Sequence, residues 1–155
     1  MINEGHTLVV GATGAGKTVT AKGMTEELLR DSRHVCIIDP TGVWYGLRTL
    51  ADGESEGFQI PIFGGLLGDV PISPDQGSVV GKIIAEGVSA VIDLSQMDSY
   101  EQQQFVADLI SALRREKPKS NFHFVVDEAD EFAPRTSPSD AGEAATRKKE
   151  WIATR

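Results

Sequence analysis

Eight consecutive residues, Gly11-Ala12-Thr13-Gly14-Ala15-Gly16-Lys17-Thr18, fill the pattern G-x-x-x-x-G-K-[ST] completely. Glycines let the backbone take positive φ, so that successive N–H groups turn toward one point and form an anion-binding concavity. A helix that starts where such a loop ends adds the partial positive charge of its N-terminus at the same place. The residues from Gly11 to Thr18, with Val19 on the first helical turn, are therefore expected to line a bound triphosphate. Lys17 can reach the β- and γ-phosphates, and the Thr18 hydroxyl can ligate Mg²⁺.

A second group of residues supplies what a phosphate cradle lacks. Phe122-His123-Phe124-Val125-Val126-Asp127-Glu128 is an apolar run that delivers two carboxylates where it stops, and open α/β sheets bind ligands at the ends of their strands. Asp127 would help to hold Mg²⁺ through its water shell, and Glu128 would polarise an attacking water. With Lys17 and Glu128 as the catalytic pair, the chemistry expected is cleavage of Mg·ATP by water. A small-molecule kinase is disfavoured, because Glu128 is suited to activating water.

These residues need strands and helices to carry them. Leu8-Val9-Val10 reads as a short buried strand leading into the glycine loop, and Lys17 to Arg30 as a helix with Val19, Ala21, Met24 and Leu28 on its inner face. His34 to Ile38 is a second strand, halted by the turn Asp39-Pro40-Thr41-Gly42. Residues 42–87 hold 10 of the 16 glycines and read as a loop-rich excursion. Within it, Ile60-Pro61-Ile62-Phe63 suits an edge strand, and Gln76 to Glu86 a short helix weakened by two glycines. Val88 to Ile92 is a strand ending at Asp93, a residue that either caps a turn or faces the site. Ser99-Tyr100-Glu101-Gln102 reads as a capping box, and Phe105, Val106, Leu109, Ile110 and Leu113 follow at helical spacing to about Glu116. After a Pro/Ser-rich stretch, a polar helix is expected from Asp140 to the chain end. The alternation of strands and helices predicts an α/β fold: a three-layer α/β/α arrangement with a mainly parallel sheet, in a single domain over residues 1–155.

Composition narrows the setting. The 155 residues are 40% apolar and 25% charged, ordinary values for a globular domain, which excludes disordered and fibrous classes. No apolar run approaches the length of a membrane helix, and no signal peptide is evident at the start. One cysteine, Cys36, allows no internal disulfide. A cytoplasmic protein without a membrane partner is expected. Residues 1–113 hold 6 basic and 15 acidic residues, and residues 114–155 hold 9 and 8, for a net charge of −8. The average field repels nucleic acid, so any DNA contact has to come from a local basic patch such as Arg114-Arg115-Lys117-Lys119 or Arg147-Lys148-Lys149.

Asp127-Glu128-Ala129-Asp130 spells the acidic box of one RNA-helicase group, but the Pro-Thr-Arg-Glu and Ser-Ala-Thr motifs expected with it are missing, as is the Asn-Lys-x-Asp motif of a GTPase. The chain instead resembles the HerA–FtsK superfamily of DNA-pumping ATPases, in particular the HerA-like central ATPase domain. The resemblance rests on Gly11 to Thr18, on Ile38-Asp39-Pro40-Thr41-Gly42, and on the run from Val126 to Pro134. It implies a P-loop NTPase of the RecA-like (ASCE) division that uses ATP and Mg²⁺. It also implies a homo-oligomeric, commonly hexameric, ring around double-stranded DNA, with a nuclease as a possible partner. The alternative is an ATP-binding regulatory module that controls a protein partner without translocation.

Against the family pattern, Val43 stands where archaeal members place a glutamate, followed by Trp44 and Tyr45, which either stack on adenine or cover the loop-rich excursion. The resemblance tilts Asp39 toward the site. Members of this division also insert a strand, carrying a polar sensor, between the acid-pair strand and the phosphate-loop strand. No apolar β run follows Pro134, so the chain is expected to be the front portion of a longer core, incomplete at its C-terminal end and poorly stable by itself. Arg135, Arg147 and Arg155 remain equal candidates for an arginine finger.

Overall fold

In a computed structural model of the chain, residues 6–12, 14–49, 56–118 and 122–132 are described. The elements follow in the order α1 (Lys17–Arg30), β1 (His34–Asp39), β2 (Ile62–Gly64), α2 (Gly77–Ala85), β3 (Ala90–Asp93), α3 (Ser99–Glu116), β4 (Phe122–Val126) and the single turn α4 (Ala129–Phe132). Short 3-10 turns at Trp44–Arg48 and Pro74–Gln76 complete the stretch between β1 and α2. The expected polar helix from Asp140, and the arginine candidates beyond Pro134, lie outside the described residues.

The four strands form one parallel sheet in the order β2-β3-β1-β4. This is an α/β, P-loop NTPase-like arrangement. β1 and β3 are central and read as continuous apolar runs because both of their faces are covered. On one face Cys36, Ile38, Ala90 and Ile92 pack against α2 and α3 through Val80, Ile84, Phe105 and Leu109. On the other, Val35, Ile37, Ile62 and Val91 meet Leu28 of α1 and the buried Trp44 and Leu47. Cys36 is fully buried and its thiol is pushed far up by desolvation, so it acts as a small packing residue. β2 is an edge strand, and Pro61 stands just before it, where a missing N–H does no harm.

Three local expectations are corrected. Leu8-Val9-Val10 is not a strand: residues 6–10 carry no regular structure, and Leu8 and Val10 are 79% and 76% exposed. A parallel strand exists only through its ladder. Among the described residues β4 is paired by β1 on one side and by no strand on the other, and residues 6–10 do not pair with that open edge. Val19 is also exposed, whereas Leu28 holds the inner face of α1 as expected, with Ala21 packed against the same core and Thr25 buried as well. The capping box of α3 sits one residue earlier than expected. Asp98 accepts from the Glu101 backbone N–H at 2.9 Å, and the Glu101 carboxylate accepts from the Asp98 N–H at 2.9 Å. Aspartate in extended backbone conformation outcompetes Ser99, which is already helical.

The two glycines that weaken α2 by propensity have a packing role. A Cβ on Gly77 would stand 2.2 Å from the Phe105 carbonyl oxygen, and one on Gly81 would stand 2.7 Å from Leu109 O and Ala112 Cβ. Their absence of side chain lets α2 press directly onto α3.

Candidate functional site: a glycine loop and an acid turn at the sheet edge

The glycine loop has the backbone its sequence requires. Gly14 and Gly16 take φ of 80° and 83°, a region in which a Cβ is strained, and the space a Cβ would enter is open at both. Gly16 is the N-cap of α1 and supplies no side-chain cap, and no acidic residue stands in the first turn. The contrast with α3 is informative, since there Asp98 and Glu101 satisfy and neutralise the helix start. At α1 no such group from the described residues meets the first-turn donors of Lys17, Thr18 and Val19, which is what an anion needs. The loop is braced by Ala15 N–H donating to Ala12 O at 3.1 Å. The Lys17 stem lies over Gly11, where a Cβ would come within 3.6 Å of its Cγ, and its ammonium donates to Ala12 O at 3.4 Å. Lys17 therefore lies across the loop. Thr13 falls outside the described residues.

Asp39, Asp93 and Asp127 end β1, β3 and β4, side by side along the C-terminal edge of the sheet. Asp39 is in register with Asp93, and Asp127 follows Val126, the partner of Ile38. Their surroundings assign them different tasks. Asp39 is fully buried and spends both oxygens on its own loop: Oδ1 accepts from the N–H groups of Thr41 (3.1 Å) and Gly42 (2.8 Å) and from the Thr41 hydroxyl (3.3 Å), and Oδ2 accepts from Trp44 N–H (2.8 Å). It shapes the turn rather than facing a ligand. Asp93 accepts from Ser95 N–H at 2.9 Å, a turn cap, and lines a cavity of about 210 Å³ with Gly64, Gly65 and Met97 that includes no residue of the glycine loop.

Asp127 and Glu128 are held from both sides. Asp127 N–H donates to Ile38 O at 3.1 Å, fixing the turn to the central strand. Beyond it, Phe132 is buried in the core beside α3, and the Gln103 amide donates to Glu131 O at 3.2 Å. Glu128 takes a positive φ of 45°, uncommon for a residue with a Cβ, and is exposed. This turn aims Glu128 outward while Asp127 stays half-buried.

The sequence gives no hint of what holds Asp127 itself. Its Oδ1 accepts from Glu128 N–H at 3.0 Å, and its Oδ2 accepts from the indole Nε1–H of Trp44 at 2.8 Å. Trp44 is fully buried, so of the two expectations for the aromatic pair it covers the excursion and is not free to stack on a base; Tyr45 is half exposed.

Mg²⁺ fits this arrangement by donor chemistry. It is held by one or two carboxylates together with phosphate oxygens and waters, and Asp127 presents an oxygen-only group whose two atoms each keep a lone pair outside the hydrogen bonds named. Among the described residues no group of three or more His, Cys, Asp or Glu could enclose a metal unaided. His34 is tied into the fold, bonding the Val88 carbonyl at 2.9 Å and packing on Phe122, and desolvation, helped by the Arg33 charge, holds His123 below the usual imidazole range.

Comparison with known proteins bears on half of this site. Residues 2–62 match the family described as helicase HerA, central domain. Over that segment the chain is similar to the HerA central domain. The matched segment carries the glycine loop, α1, β1 and the Asp39 turn, whereas Asp127 and Glu128 lie beyond it. No curated protein and no solved structure matches the chain. Among the described residues, no helix is long and apolar enough to cross a membrane.

Proposed function

We propose that this HerA-like domain binds Mg·ATP and hydrolyses it, as the nucleotide-driven part of a ring-forming motor that moves double-stranded DNA. The observation that carries the reading is the uncapped start of α1 behind two glycines at positive φ, within the segment that matches the HerA domain. Gly11 to Gly16 and the first-turn amides of Lys17, Thr18 and Val19 hold the phosphates, with the Lys17 ammonium turned from Ala12 O onto the β- and γ-oxygens. Thr18 and Asp127 hold Mg²⁺, which when bound neutralises charge developing on the phosphate oxygens. Glu128, exposed at the turn, accepts the proton of the attacking water.

A second reading has an observation of its own. The net charge of −8 opposes contact with a polyanion, which favours an ATP-binding module that regulates a protein partner. Steady-state phosphate release, measured on the full chain with and without duplex DNA at low salt, separates the two. The motor reading predicts turnover that rises with added duplex, together with a ring-sized species in solution. Slow turnover indifferent to DNA, from a monomer, supports the regulatory reading and contradicts the motor.

A further inference from the structure

Trp44 touches two of the three strand-end acids, Asp39 and Asp127. Its backbone N–H is held by Asp39 Oδ2, and its indole N–H reaches Asp127 Oδ2, both at 2.8 Å. From the phosphate helix α1, Lys22 donates to the carbonyl of the preceding Val43 at 2.6 Å and sets its ammonium 5.8 Å from the centre of the Trp44 ring. An indole has two side-chain torsions and one donor, and this one is packed among Val35, Ile37 and Leu47 with no exposed surface. Its donor is therefore fixed in space by the core.

We propose that Trp44 is a positioning residue for the metal-holding carboxylate, locking the plane of Asp127 and tying it through Lys22 to the helix that carries Lys17 and Thr18. The proposal rests on the Mg·ATP reading above. Asp127 would otherwise rotate about its terminal torsion, a broad two-fold profile with no preferred plane of its own. With Oδ1 on the Glu128 amide and Oδ2 on the indole, one orientation is selected, and the remaining lone pairs keep a fixed direction. Partners of this kind, which orient a ligand without touching the metal, are worth roughly 10- to 100-fold in metal affinity.

The test is a pair of titrations on the full chain. Trp44→Phe keeps an apolar ring and removes only the donor. Calorimetric binding of ATP in excess EDTA should be unchanged within about twofold, while the MgCl₂ concentration needed to reach half of the Mg-dependent affinity gain should rise about tenfold. Equal Mg²⁺ dependence in both proteins overturns the proposal, and so does a loss of metal-free ATP binding in parallel, which would mark Trp44 as packing alone. Should the variant fail to fold, the unsubstituted indole reports instead. The chain has two tryptophans, so Trp151→Phe leaves Trp44 as the sole emitter. Its fluorescence should shift when MgCl₂ is added to ATP-saturated protein. A silent Trp44 while calorimetry registers Mg-dependent binding contradicts the proposal. Absence of any Mg·ATP binding by the unaltered chain is a distinct result: the nucleotide reading itself fails, and the role of Trp44 falls with it.

Discussion

Glu128→Gln should leave Mg·ATP affinity within about twofold of the unaltered chain and lower turnover by at least about 10²-fold, the low end of what a positioned general base contributes. The amide preserves volume and hydrogen-bonding reach but cannot accept a proton from water. The positive φ of Glu128 is set by the backbone, through its N–H on Asp127 Oδ1 and its carbonyl accepting from Glu131 N–H at 2.9 Å. The substitution should therefore leave the turn in place. Phosphate release and a nucleotide-binding titration on the same preparation check both halves. Unchanged turnover would remove Glu128 from the chemistry.

The second large effect is structural and concerns a carboxylate the family resemblance tilts toward the site. Asp39→Ala removes the acceptor for three backbone donors, those of Thr41, Gly42 and Trp44. A buried donor left without a partner costs about 1–3 kcal/mol, so the loss should total roughly 3 kcal/mol or more, allowing for water reaching part of the opened loop. For a chain of this length that corresponds to a fall in Tm on the order of 10 °C. Thermal melting followed by circular dichroism checks it. A variant with unaltered Tm but lost nucleotide affinity would show that Asp39 serves the ligand rather than the turn.

Asp39 also illustrates where reading a sequence reaches its limit. Strand-end acids are visible in the chain, and so is their alignment once the fold class is accepted. Which of Asp39, Asp93 and Asp127 is consumed by its own loop depends on the path of the following three to five residues, and that path is set by tertiary contacts. Gln102 shows why: its side-chain amide lies within 3.0–3.3 Å of the carbonyls of Pro40, Leu94 and Met97, joining two loops and the start of α3 in a way no local pattern encodes.

The elements legible in advance were those whose signals are local. The bounds of α1, the end of β1 at the Asp39 turn, the apolar stripe of α3 and the run forming β4 follow from periodicity and turn chemistry. The strand expected at Leu8-Val9-Val10 fails for a non-local reason, since an apolar triplet becomes a strand only when the fold lays it along a neighbour's backbone, and residues 6–10 are paired with none of the four strands. The glycines of α2 were legible as poor helix formers but not as contact points, because propensity is a property of one helix and close approach a property of two. For the site, the glycine loop and the acid pair were readable as motifs. The indole that steadies Asp127 lies 83 residues away from it in sequence, so nothing in the spacing announces the pair.

Isothermal titration of the full chain with ATP and MgCl₂, alongside Lys17→Ala, tests most directly whether the bend at Gly14 and Gly16 is a phosphate cradle. Saturable heat from the unaltered chain, with affinity at least about tenfold weaker in the variant as expected for losing a charge-assisted contact, is the predicted result. No heat at millimolar ATP, or identical isotherms for the two proteins, would contradict it.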